Sequence, residues 1–117
     1  LRPGSRVAAV SKAIQSFVER HGFSVVREFV GHGVGQNLHE EPQVPNFVGL
    51  FARLPLWGPL LLPGMVLAVE PMVNQGGAQV IVAPSDWPVR TADRGLSVHF
   101  EHTLAVLEDS VEVLTTL

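Results

Sequence analysis

Apolar residues at helical spacing open the chain. Val7, Val10, Ile14, Phe17, Val18 and His21 recur three or four positions apart, which predicts one amphipathic helix. Ser5 is placed to cap its start and Gly22 to end it. After Gly22 the pattern shifts to short runs rich in Val and Phe. Residues 23–29 (FSVVREF) and 66–72 (VLAVEPM) predict strands. Residues 79–82 and 87–91 read as shorter strands about a turn. Residues 96–107 (LSVHFEHTLAVL) read as the longest strand, which Glu108, Asp109 and Ser110 turn into VEVL. One helix with a curved, mostly antiparallel sheet makes this an α+β chain.

Composition narrows the class. At 117 residues with 46% hydrophobic content, the chain is one globular domain or part of one. A formal charge of −3 gives no electrostatic case for nucleic acid or an anionic membrane. With no cysteine there are no disulfides and no thiolate metal sites, so any metal must sit on His and carboxylate ligands. No basic region followed by an apolar run starts the chain, so secretion is unsupported. Leu1 rather than Met comes first, and LRPGSRVAAV reads as a loop entering a helix, so a piece of something longer is expected.

Three features carry candidate chemistry. GHGVGQNLHEEP (31–42) sets His32 and His39 among Gly31, Gly33 and Gly35, which argue against a helix and for a tight loop passing close to something. Two readings stay open there: a metal or catalytic loop, or a bulge with ordinary surface histidines. Glu70 and Glu101 both interrupt apolar strand runs. A single such Glu reads as the solvent face of a half-exposed strand. Two of them with a Gly-flanked His, in a chain without cysteine, shift the balance toward a metal site.

GHGVGQNLHEEPQVPN, LLPGMVLAVEPMVN and DRGLSVHFEHTLAVLEDSVEVLT together resemble the C-terminal half of type I methionine aminopeptidase, in order and spacing. Aminopeptidase P and prolidase share the fold and similar GHG and HE elements, but EPM followed by FEHT favours the methionine enzyme. The resemblance implies the C-terminal half of a pita-bread fold over residues 1–117. It implies a cytoplasmic hydrolase that removes the N-terminal methionine of peptides and nascent proteins. It further implies two divalent metal ions (Co, Mn, Fe or Zn) that activate a water and polarise the carbonyl. Residue by residue, His32 and Glu70 match metal ligands and Glu101 the glutamate that bridges both metals. His39 matches the catalytic histidine at the scissile peptide, and Leu38 and Trp87 match positions lining the methionine pocket. Glu70 is also expected to shuttle a proton toward the leaving amine.

The chain departs from that pattern in several places. The family's two metal-binding aspartates, another histidine and much of the pocket come from an N-terminal half, which becomes the expected partner. Three of five expected metal ligands are present here. Asp86, Asp93 and Asp109 read as turn and loop residues instead. His99 stands where many relatives have Gln; alternation puts it on the face of Glu101, where it reads as orienting a metal ligand rather than binding the metal. His102 points the other way and reads as structural. The apolar stretch 48–65 is broken by prolines and Arg53, so it is no membrane helix; it reads as a rim loop rather than a contact surface. Glu40 and Glu41 read as surface charges. A related aminopeptidase P or prolidase-type enzyme of the same fold and, from a different class, a non-catalytic binding module that kept the fold remain alternatives.

Overall fold

A computed structural model describes residues 1–49, 58–85 and 88–116. Among these residues, helix α1 spans Val7–Arg20 and is followed by ten short strands. In chain order these are β1 (Ser24–Val25), β2 (Gly31–Val34), β3 (Glu40–Val44), β4 (Val66–Val69) and β5 (Met72–Asn74). Then come β6 (Val80–Val82), β7 (Val89–Thr91), β8 (Ser97–His99), β9 (His102–Val106) and β10 (Val111–Val113). A five-stranded sheet runs β10-β9-β4-β2-β3, a three-stranded sheet runs β1-β5-β8, and β6 pairs with β7. All these pairings are antiparallel, in keeping with the expected α+β class.

The helix starts without the expected cap. The Ser5 hydroxyl donates to the Arg2 carbonyl at 2.6 Å, and Arg6 takes the cap position without a capping bond, its guanidinium donating instead to Gly58 O at 2.7 Å. The start is held from outside: Val7 N–H donates to Pro59 O at 3.0 Å, and Arg6 bridges to Leu60. The end follows the sequence. Gly22 adopts φ 80°, its N–H donates to Glu19 O at 3.0 Å, and Phe23 N–H donates to Val18 O at 3.2 Å. These two bonds satisfy carbonyls that the last turn would otherwise leave open.

Val7 and Val10 on the helix pack with Val44, Leu61, Leu67 and Val106, all nearly or fully buried. Each such side chain contributes roughly 1.5–3 kcal/mol relative to exposure. Leu61 is fully buried, so the end of the apolar stretch does pack on the core as a rim loop would; residues 50–57 lie outside the described part. Among the described residues, the other side of the helix is left open. Phe17, Val18, Phe23, Val73, Val98 and Phe100 line an open groove of about 1010 Å³ between α1 and the β5–β8 ladder. Phe17 and Phe100 are each about 60% exposed there.

Three expected strands are shorter than their sequences suggest. Only Ser24–Val25 of FSVVREF joins a ladder. The stretches 66–72 and 96–107 are each split, into β4 and β5 and into β8 and β9. Pro71 has no N–H to give a ladder, which fits a break beside it. The register nevertheless carries across. Val69 faces His102 and Met72 faces His99, so Glu70 falls opposite Glu101 and Pro71 opposite Phe100, whose N–H donates to Pro71 O at 3.1 Å. One long bent hairpin thus passes from the larger sheet to the smaller. Both candidate glutamates stand at its bend.

Candidate metal centre

Sheet geometry alone assembles the site. Phe100–Pro71 and Gln75–Leu96 are hydrogen-bonded pairs, so alternation makes Glu70–Glu101 a non-hydrogen-bonded pair, in which side chains stand closer. His99 lies diagonally from Glu70 on the face of Glu101. On the other side β2 pairs with β4, with His32 opposite Ala68, so His32 is diagonal to Glu70 as well. Glu70 therefore sits between two imidazoles. His32 Nε2 lies 3.3 Å from its Oε1, and His99 Nε2 lies 3.3 Å from its Oε2. One donor atom each from Glu70, His99 and Glu101 lie within 4.8 Å of one another.

The loop expected at 31–39 is a correction. GHGV is β2, a strand with partners on both sides. Its glycines are needed for close approach: a Cβ on Gly31 would strike the Ala68 carbonyl oxygen of β4, and one on Gly33 the Glu41 carbonyl oxygen of β3. Packing between two backbones, rather than a turn, explains them. The turn comes later, at residues 35–39, and Glu40 organises it. Its Oε1 accepts the Asn37 N–H at 2.8 Å, so Glu40 has a structural role the sequence did not suggest. The His39 ring projects back over His32, with ring centroids 4.1 Å apart and planes inclined 41°. Leu38 stands on the turn at 71% exposure. Trp87 and Asp86 lie outside the described residues.

Burial is lower than two interrupted strands imply. Glu70 is largely shielded, with its side chain 15% exposed, but Glu101 and His99 are open to solvent. His102 is apart from the site, its Nδ1 2.9 Å from the Thr115 hydroxyl, as a structural histidine should be. Asp93 is a turn residue, accepting N–H bonds from Gly95 at 2.9 Å and Gly77 at 2.8 Å. Those two bonds hold its carboxyl below the ordinary range. One residue of the site carried no obvious signal. Buried Asn46 donates to the Glu70 carbonyl at 3.4 Å, tying the bend to the end of HEEPQVPN. A polar residue within PNFVGLF was the available clue.

The donor set suits a divalent cation. His32 Nδ1 lies 2.8 Å from the Gly33 carbonyl, which only accepts, so Nδ1 carries a proton and Nε2 is the ring nitrogen turned to the Glu70 carboxylate, 3.3 Å away. With Nδ1 so engaged, Nε2 is the atom that would meet a cation. Imidazole with carboxylate is the ligand chemistry of first-row divalent metals.

The carboxylate–imidazole cluster at the bend of the antiparallel hairpin is a candidate metal site. Residues 1–108 match metallopeptidase family M24, and the chain belongs to that family. It is 51% identical over 114 residues to methionine aminopeptidase 1 of Bacillus subtilis, covering 97% of this chain and 44% of that protein. With the methionine aminopeptidase of Escherichia coli K12 it is 43% identical over 115 residues, covering 98% and 42%. The crystal structure of the Thermotoga maritima methionine aminopeptidase matches at a TM-score of 0.90 and 44% identity, covering all of this chain and 45% of that one. The Rickettsia prowazekii enzyme matches at 0.90 and 38% identity, covering 99% and 45%. The chain thus spans less than half the length of these relatives.

Proposed function

We propose that this chain is the C-terminal part of a methionine aminopeptidase, hydrolysing the peptide bond after an N-terminal methionine. The observation that carries the reading is the opposed Glu70–Glu101 pair, flanked by His32 on β2, in a chain 51% identical to such an enzyme. His32, Glu70 and Glu101 would hold two divalent cations, Glu101 shared between them. When bound, the cations would supply Lewis acidity toward a peptide carbonyl and a water at neutral pH.

The remaining steps belong to the protein. His39, held over His32 by ring contact, donates a hydrogen bond to the carbonyl oxygen as negative charge develops there. Glu70 moves the proton toward the leaving amine. Leu38 and Trp87 form part of the methionine pocket. The groove beside α1 and the missing acidic ligands point to the same partner: the rest of a longer polypeptide, of the kind that completes the relatives. The proposed setting is the cytoplasm, where nascent chains appear.

The test is peptide hydrolysis. This chain is co-expressed with the N-terminal portion of the Bacillus subtilis relative and assayed on a Met-Ala peptide with Co, Mn, Fe or Zn. Methionine release that Glu101→Ala abolishes supports the reading. No release with any of these metals, from a folded complex, rejects it.

A further inference from the structure

His99 is a residue the proposed reaction does not use, yet its place in the hairpin is special. It stands on β8, the outer strand of its sheet, two positions before Glu101 and diagonal to Glu70. Its Nε2 is 3.3 Å from Glu70 Oε2, and its side chain is 40% exposed. That separation is longer than the usual 2.7–3.2 Å of an N–H···O bond. It matches another arrangement better. Two donors about 2.0–2.1 Å from one tetrahedral cation stand roughly 3.3–3.4 Å apart. His32 Nε2 has the same 3.3 Å spacing to the other oxygen of Glu70. Each carboxylate oxygen therefore has its own imidazole, and Glu101 joins the His99 side within 4.8 Å.

We infer that His99 is itself a metal ligand, giving the cation position beside Glu101 a nitrogen donor and biasing that position toward zinc over manganese. The inference rests on the metallopeptidase reading above and deepens it. Imidazole favours Zn, Fe, Ni and Cu, whereas an all-oxygen position suits Mn and Mg. A Gln in this place would offer only an amide oxygen, so His99→Gln changes donor chemistry rather than shape. Exposure on an outer strand leaves the ring free to turn onto a cation without disturbing the core.

The test uses the complex of this chain with the N-terminal portion of the Bacillus subtilis relative, only this chain's histidines labelled by ¹⁵N, titrated with Zn²⁺ and followed through their imidazole resonances. Zinc should shift Nε2 of both His32 and His99, while His21 and His102 stay in place. Calorimetry then compares Zn²⁺ and Mn²⁺ on the wild type and His99→Gln. The substitution should weaken zinc by more than the roughly 10–100-fold typical of a residue that only orients a ligand. Manganese affinity should stay close to that of the wild type, so the selectivity itself changes. A zinc response at His32 without one at His99 overturns the inference and leaves the metallopeptidase reading standing. Equal weakening of both metals overturns it in the same way. No response at either histidine removes both.

Discussion

Gly33→Ala is the substitution that asks most of the described packing. A Cβ at Gly33 would fall on the Glu41 carbonyl oxygen, with Glu41 C at 2.7 Å and Glu40 O at 2.9 Å. All three atoms are backbone of β3, so no rotamer change relieves the clash; a strand must move. Overpacking typically costs 1–3 kcal/mol, and a purely backbone obstacle puts this case at about 3 kcal/mol. The melting temperature should fall on the order of 10 °C. Gly49→Ala is the control, since its nearest atom is a Phe47 ring carbon at 3.9 Å. Because the β2–β3 register shifts between His32 and Gly33, the displaced strand should carry the His32 ring with it. Thermal unfolding followed by circular dichroism reads the stability, and the His32 imidazole resonance reads the displacement. If Gly33→Ala melts with the wild type and leaves His32 unmoved, the close approach of β2 and β3 is wrong.

Two further substitutions probe other parts of the chain. The Asp93 carboxyl is held below its ordinary value of 3.8 by the Gly95 and Gly77 N–H groups, so its stabilisation is present above that value and lost as pH falls through the lowered one. Asp93→Asn should therefore be less stable than the wild type at neutral pH, with the gap closing in acid; a gap that does not change with pH refutes the charge-based account. Trp87→Ala, in the completed enzyme, should weaken selectivity for methionine over smaller first residues more than it lowers metal content; the reverse outcome makes Trp87 a packing residue.

How much of this was readable in advance differs by element. The helix was legible because periodicity and Gly22 are local signals, although its start is fixed by residues 58–61 rather than by Ser5. Glu70 and Glu101 stood out as charges within apolar runs, and the resemblance of their motifs to a known family grouped them with His32. The bend that makes the glutamates face each other was not legible, because register is a relation between strands about 30 residues apart. Local propensity also misread GHGV: glycines suggest a loop in isolation, and only two neighbouring backbones reveal why a strand needs them. Alternation placed His99 on the correct face, yet its equal spacing to Glu70 required coordinates. The open groove was invisible for the same reason, since Phe17 fits a helical core pattern whether or not anything covers it.

Metal stoichiometry tests the central claim most directly. Glu70 and Glu101 bring only two negative charges to a place proposed for two divalent cations, and the remaining acidic ligands are expected from outside the chain. Calorimetric titration with Zn²⁺ or Co²⁺, beside an assay on a Met-Ala peptide, is run on the chain alone and on its complex with the N-terminal portion of a relative. The expected result is at most one weakly held cation and no turnover alone, then two cations and methionine release in the complex. Tight binding of two cations with turnover by the chain alone would contradict the half-site account.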